Sequence, residues 1–211
     1  MSNVADQKRR AFWLRQLHQW HWVSAAICLV AILLFSITGI TLNHAAQISA
    51  KPRVTSREAR LPAALLARLT NASNAQGTKN APLPPVIRDW LNDELGLHTA
   101  AASAEWSDDE VYVSLPRPGG DAWLSIDRES GAIQYERTDR GWVSYLNDLH
   151  KGRNAGPAWS WFIDVFAAAC VLFAGTGLFL LKMHSGRRPG TWPFVALGAV
   201  VPLVVLVLFV H

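Results

Sequence analysis

Six of the seven histidines lie beside long apolar blocks of the sequence, where their side chains could act as ligands. A neutral imidazole carries one nitrogen lone pair, and two imidazoles from facing helices can hold a metal ion or a haem iron. His98 is the exception, and we expect it to be a surface residue. The six candidates for ligands are His18, His21, His44, His150, His184 and His211.

A short pattern of small residues recurs beside these histidines. "LFSITGITLNH" over residues 34–44 returns as "LFAGTGLFLLKMH" over residues 172–184. Thr38, Gly39, Gly175 and Gly177 are small enough to let a flat group or a second helix approach. Gly177 and His184 are seven apart and share a helical face, whereas Gly39 and His44 do not. Contact between helices therefore explains the repeat better than two glycines flanking one cofactor.

Three apolar blocks are long enough to be membrane spans. Residues 22–43 contain no charged residue, and a helix of that length is ~33 Å long against ~30 Å of hydrocarbon in a bilayer. Residues 160–181 are interrupted only by Asp164, and residues 191–210 are apolar throughout apart from Thr191. A cleaved signal peptide is the alternative for the first block, but its apolar core is too long. The lipid bilayer is thus the first predicted partner.

Charge sets the predicted orientation. The amino-terminal flank and the loop after the second span carry excess basic residues, whereas residues 45–156 hold thirteen basic residues against fourteen acidic ones. By the positive-inside rule both basic flanks are cytoplasmic, and the carboxyl terminus is periplasmic. The basic pI then reflects topology, so no nucleic-acid partner is expected. Asp164 sits near the outer end of its span, where we expect it to be hydrated.

The long loop is predicted to hold a small α+β domain. Residues 51–84 mix a possible short helix with Asn, Gly, Ser and Pro and are expected to be a connector. Residues 86–95 show a helical period, and "EVYVSLPR" and "AWLSIDRESGAIQYER" predict three antiparallel strands. We see no nucleophile and base at a catalytic spacing, and therefore predict no catalytic residue.

The predicted fold is an α-helical integral membrane protein with three transmembrane helices and an extracytoplasmic α+β domain between the first two. Cys28 and Cys170 both fall inside spans, so no disulfide framework is expected, and the absence of C-x-x-C-H excludes covalent c-type haem. The predicted segments are a cytoplasmic basic segment (1–21), the first span (22–43), the periplasmic connector and domain (44–156), the second span (160–181), a cytoplasmic loop (182–190) and the third span (191–210).

The combination of "LRQLHQWHWVSAAICLVAILLFSITGITLNH", "PGGDAWLSIDRESGAIQYER" and "YLNDLHKGRNAGPAWSWFIDVF" resembles the PepSY-associated transmembrane proteins of bacterial inner membranes. The resemblance covers nearly the whole chain apart from the connector. It implies a PepSY-like fold for the extracytoplasmic domain. Larger relatives include reductases of iron-siderophore complexes that carry b-type haem, and those relatives have four or more spans.

Together with the resemblance, the histidines predict one or two b-type haems. At the periplasmic face, His44 and His150 are the first choice of axial pair, with His211 as substitute. At the cytoplasmic face, His184 is expected to pair with His21 or His18, and His21 is preferred because it lies closer to the outer site.

Groups that would surround the haem can also be named. Its propionates would be met by Arg15, Arg187 and Arg188 inside, or by Lys151 and Arg153 outside. Trp20, Trp22, Trp159 and Trp161 are expected to form an aromatic belt at headgroup depth. Any single histidine at this depth could also be a simple interfacial residue.

These observations predict an inner-membrane b-type cytochrome. A quinol or a cytoplasmic-side reductase would donate electrons to a periplasmic acceptor, and the resemblance implies ferric-siderophore or flavoprotein reduction. The chain would be one component of a membrane reductase, because it lacks G-x-G-x-x-G and has no room for a flavin or nicotinamide domain. A homodimer would help three helices enclose haem. The alternative is a haem-free, membrane-anchored PepSY-like module that binds or regulates a periplasmic partner.

Overall fold

A computed structural model describes residues 2–48, 51–76, 80–99, 102–184, 186 and 190–210. The six helices of that part are α1 (Ser2–Asn43), α2 (Ala63–Gln76), α3 (Pro85–Leu95), α4 (Trp142–His150), α5 (Gly156–His184) and α6 (Thr191–Phe209). Its six strands are β1 (Arg53–Arg60), β2 (Asn80–Ala81), β3 (Ala104–Trp106), β4 (Glu110–Ser114), β5 (Gly120–Asp127) and β6 (Ala132–Asp139).

Two compact units make up the chain. The helical unit comprises Met1–Leu34 and Phe162–His211, and the mixed unit comprises Phe35–Trp161. Helices α1, α5 and α6 are long and apolar enough to cross a membrane. The protein is therefore a membrane protein, as the apolar blocks predict. Helix α6 has no buried residue, so most of its apolar surface is open to lipid or to other protein.

The mixed unit is built on one antiparallel sheet in the order β1-β6-β5-β4-β3-β2. Strand β5 alternates between buried and more exposed residues, because successive side chains of a strand point to opposite faces. The buried face packs against α2 and α3, where Leu69, Ile87 and Leu91 are fully buried. This small apolar core fixes the sheet on which the loops and α4 are held.

Helix α3 and the three central strands agree with the sequence prediction. Pro85 opens α3, where a missing amide costs no hydrogen bond. Gly96 ends it in the left-handed conformation, with its amide bonded to the Asn92 carbonyl. The turn between β5 and β6 is held by Asp127, whose carboxylate accepts from the amide and hydroxyl of Ser130. These hydrogen bonds lower the pKa of Asp127.

The short helix predicted within residues 51–84 is present as α2, but the prediction that the rest of this segment is a connector is wrong. Strand β1 pairs along its whole length with β6, from Arg53 opposite Asp139 to Arg60 opposite Ala132. Helix α2 contributes Leu69 to the core, and β2 pairs with β3. The sequence "RVTSREAR" lacks apolar alternation because β1 lies at the sheet edge, where most of its side chains stay exposed.

Candidate functional site

His21 contacts the second Thr-Gly pair inside the helical unit. Its Nδ1 lies 3.1 Å from the Thr176 hydroxyl and 3.2 Å from the Phe173 carbonyl oxygen. The imidazole stacks on the Phe173 ring, with centroids 4.7 Å apart and planes 15° apart. Because α1 and α5 supply the two sides, this contact joins two apolar helices through a polar ring.

These contacts determine which nitrogen of His21 carries the hydrogen. The Thr176 hydroxyl donates to carbonyls of its own helix, at 2.7 Å from Leu172 and 3.0 Å from Phe173. Its lone pairs must then accept from His21, and the Phe173 carbonyl can only accept. Nδ1 is therefore protonated. In the neutral ring Nε2 keeps its lone pair, and no partner for Nε2 lies among the described residues.

Gly177 explains why a histidine can lie so close to α5. A Cβ atom built at this glycine would lie 3.2 Å from Cε1 of His21, closer than ordinary van der Waals contact. At Gly175, in contrast, a Cβ would meet nothing within 4 Å. The glycine before Thr176 thus borders open space, and the one after it makes room for the imidazole.

His150 contacts the first Thr-Gly pair inside the mixed unit. Its Nδ1 lies 2.8 Å from the Thr38 hydroxyl, and a Cβ at Gly39 would lie 3.5 Å from its Cε1. The Phe35 ring is tilted against the imidazole, with centroids 5.1 Å apart. The Thr38 hydroxyl also lies 3.2 Å from the Phe35 carbonyl, to which it can donate.

The two contacts share one sequence pattern, Phe-x-x-Thr-Gly, at residues 35–39 and 173–177. One helical turn separates Phe from Thr, so both side chains and the glycine face the same way. In each case a histidine from another helix lies on this face. The repeat is therefore a pair of histidine-binding surfaces, which the prediction of plain helix contact did not specify. Hereafter they are the Phe173 clasp, which holds His21, and the Phe35 clasp, which holds His150.

The other histidines are placed as follows. His18 and His184 lie together, with ring centroids 6.0 Å apart and planes 89° apart. Their Nδ1 atoms bond to the carbonyls of Leu14 and Leu180, each on its own helix. His184 thus contacts His18, while His21 lies in the Phe173 clasp.

The predicted outer pair is not brought together. His44 is exposed and bonds through Nδ1 to the Ile40 carbonyl of its own helix. It lies six residues beyond Thr38, or ~9 Å along the helix axis, and the contacts of the described residues include none between His44 and His150. His211, Arg187 and Arg188 lie outside the described residues. His98 is exposed in the α+β domain.

Polar residues that the sequence prediction missed hold His150 in place. Asn147, one turn earlier on α4, is buried and accepts from the Thr41 hydroxyl at 2.7 Å. Asp148 accepts from the Gly119 amide at 2.9 Å. Trp159, expected in the aromatic belt, donates to the Leu149 carbonyl at 2.8 Å. The last turn of α4 is thereby fastened to α1, to the sheet domain and to α5.

A buried stripe on α1 accompanies His21. Ser24 and Cys28 are almost fully buried, and Ser24 donates to the Trp20 carbonyl at 2.7 Å. The spacing of three and four residues puts these side chains on one helical face with His21. The two cysteines, Cys28 and Cys170, are both free thiols.

Charged groups near the histidines are mostly exposed. Arg15, Lys151 and Arg153 are exposed, and Arg153 lies 3.8 Å from the Asp148 carboxylate. Asp164 is exposed on α5. In the part of the chain that the structure describes, no group of three or more His, Cys, Asp or Glu side chains could hold a metal ion. The described histidines therefore occur singly or in pairs.

The fold and the two clasps define the class of this protein. It is a membrane protein with three candidate spans, a small antiparallel sheet domain and two contacts in which a histidine packs on another helix. The family described as Putative PepSY_TM-like matches residues 12–211. The chain belongs to this family, as the sequence motifs predicted. No curated protein and no solved structure matches it.

Proposed function

We propose that the protein is a b-type cytochrome of the bacterial inner membrane and serves as the electron-transfer component of a membrane reductase. The observation that carries this proposal is the repeated clasp. Two histidines are each oriented through Nδ1 by a threonine of an apolar helix, and Nε2 of His21 is left for a ligand. Haem ligands are held in this way, because a hydrogen bond at one ring nitrogen orients the other toward the iron.

The residues present fit haem in three respects. The protonated Nδ1 of His21 leaves Nε2 as the ligating atom. His18 and His184 also bond through Nδ1 to carbonyls, so each keeps Nε2 for a ligand. Gly175 leaves open space beside the Phe173 clasp.

Bound haem would supply a one-electron carrier inside the apolar layer. We propose His21 and His150 as one axial ligand each. The second ligands remain predictions: His184 or His18 for the inner site, and His44 or His211 for the outer site. A quinol or a cytoplasmic-side reductase would be the donor, and the acceptor would be periplasmic, with ferric-siderophore or flavoprotein reduction as the activity.

The experiment is a reduced-minus-oxidised absorption spectrum of the purified full chain, with haem quantified per chain. Apo-protein is titrated with haemin so that poor loading in the expression host does not decide the result. We expect a low-spin b-type spectrum that is unchanged in the control His98→Ala. Absence of such a spectrum after titration would contradict the proposal.

That negative result would favour the second candidate, a haem-free module that binds or regulates a periplasmic partner. A cavity of about 870 Å³ in the mixed unit supports this candidate. Its volume lies in the range of ligand-binding clefts. Partner binding at this cavity would also be compatible with haem at the clasps, because no residue of the two clasps lines the cavity.

The proposed orientation follows from the basic flanks: a cytoplasmic amino terminus and a periplasmic carboxyl terminus. A phosphatase reporter fused after His211 should be active, and one fused after Gly186 should be inactive. Activity at Gly186 would contradict the proposed topology.

A further inference from the structure

The large cavity of the mixed unit has an unusual concentration of positive charge. Strand β1 contributes Arg53 and Arg57, and β6 contributes Arg137. Lys51 and Arg140 complete five basic lining residues, against Asp139 as the one acidic lining residue. A cavity with this balance attracts anions, because like charges add over its concave wall.

The register of β1 and β6 explains why these arginines lie together. Arg53 pairs with Asp139, and Arg57 with Tyr135, so alternate residues of both strands share one face. Further along, this face is covered by α3. Helix α3 ends at Leu95, and the uncovered remainder of the face becomes the cavity floor.

Helix α4 adds a further positive element. Its first turn, from Trp142 to Ser144, borders the cavity, and its N-cap Gly141 provides no side-chain hydrogen bond. The first amides of a helix lack intrahelical acceptors and carry partial positive charge. Backbone donors and guanidinium groups thus border the same space.

The one acidic residue that lines the cavity already interacts with arginine side chains. Asp139 lies 3.7 Å from both Arg117 and Arg137. The Gly141 amide, assisted by these arginines, holds the pKa of Asp139 below its usual value. At the end of α3, Arg57 donates to the Leu95 carbonyl at 3.1 Å. Arg137 is thus shared with Asp139, and Arg140 forms an ion pair with Asp121. Lys51 and Arg53 therefore contribute most of the remaining positive charge.

We propose that this cavity binds a phosphate-bearing anion. Guanidinium groups match phosphate oxygens in geometry, and amides of a helix amino terminus bind the same group. The anion could be an anionic phospholipid headgroup or a soluble phosphate. This inference does not depend on haem.

The surroundings of the cavity favour the phospholipid headgroup. Ala45 and Ile48, which line it, follow directly after the apolar span that ends at Asn43. Trp142 lines it too and is 72% exposed, and tryptophan is enriched at headgroup depth. The cavity thus lies next to the chain segment that directly follows the apolar helix.

The test titrates the full chain in neutral detergent with short-chain phosphatidylglycerol, short-chain phosphatidylcholine and inorganic phosphate by calorimetry. We expect phosphatidylglycerol to bind and phosphatidylcholine to give no signal. Arg53→Gln and Arg137→Gln should each weaken binding about fivefold, the effect of one basic residue near an anionic surface. The matched control Arg68→Gln removes an exposed arginine from α2 and should leave binding unchanged.

A gain-of-binding variant guards against misfolding. Asp139→Asn removes the one acidic lining residue, so phosphatidylglycerol should bind several-fold more tightly, which an unfolded protein cannot imitate. Phosphate binding with the same arginine dependence, in place of lipid binding, would support the anion site and identify a soluble ligand. Absence of binding by both anions, or an equal loss in Arg68→Gln, would overturn the proposal.

Discussion

The two clasps use the same five-residue pattern but hold their histidines differently. His21 has two hydrogen-bond acceptors and a stacked phenylalanine, whereas His150 has the Thr38 hydroxyl and a tilted phenylalanine. His21 belongs to a 42-residue helix, and His150 ends a nine-residue helix fastened to the sheet domain. The Phe173 clasp is therefore set by the apolar helices, while the Phe35 clasp also depends on the folded domain.

The largest expected effect tests whether the clasps are equivalent in haem binding. His21→Ala and His150→Ala should each remove one equivalent of b-type haem, because loss of an axial imidazole leaves the iron with an incomplete ligand set. Haem per chain and the low-spin spectrum measure this. If either variant retains its full haem content, the two clasps are not equivalent, and the clasp in that variant has a structural role only.

Replacing the threonines should separate the clasps in stability. Thr38→Val leaves Nδ1 of His150 without its hydrogen-bond partner, which costs about 1–3 kcal/mol at a buried site. Thr176→Val leaves His21 with the Phe173 carbonyl, so its cost should stay near 1 kcal/mol. The comparison uses thermal unfolding of the two variants in detergent. A larger loss in Thr176→Val would reverse the ranking.

Replacing the glycines by alanine should change stability less than replacing the threonines. The sign of the change should differ between the two clasps. Gly177→Ala forces a contact of 3.2 Å with His21, and overpacking of ~1–3 kcal/mol should exceed the ~0.5–1 kcal/mol that alanine gains in a helix. Gly39→Ala makes an ordinary contact at 3.5 Å and should be neutral or stabilising. Gly175→Ala serves as a control that should stabilise the protein. The prediction fails if Gly177→Ala unfolds at a higher temperature than Gly175→Ala.

The smallest effect concerns the connection of the Phe35 clasp to the domain. Thr41→Val removes the donor to Asn147 and should cost about 0.5–1.5 kcal/mol. Because Thr41 does not touch His150, the hydrogen bond between Thr38 and His150 should survive. Histidine NMR signals of the two clasps report on this. A shift of the His21 signal with no shift of the His150 signal would contradict the connection of Thr41 to the Phe35 clasp.

Much of the architecture could be predicted from local patterns. The apolar blocks predicted the three candidate spans, and the first span ends at Asn43 as expected. Helix α3 and strands β4 to β6 followed from their periods. Strand β1 could not be predicted, because its partner β6 lies some eighty residues away and half of its own side chains are charged.

The sequence predicted which residues belong to the site but not which of them contact each other. The histidines and the Thr-Gly repeat were both visible in the sequence, yet their combination was not. Periodicity assigns a residue to a helical face but does not say which helix meets that face. Helix α4 was also missed, so the sequence could not show that His150 would reach Thr38 instead of His44.

Strand β1 has one more consequence, for assembly and solubility. An open sheet edge is a template for adding a strand from another chain, and proteins protect such edges with charge or by shortening them. Here β1 carries Arg53 and Arg57 on one face and Glu58 and Arg60 on the other, while the opposite edge strand, β2, has only two residues. Neither edge favours cross-chain strand pairing, so the folded domain should resist aggregation and should meet its partners through faces and loops.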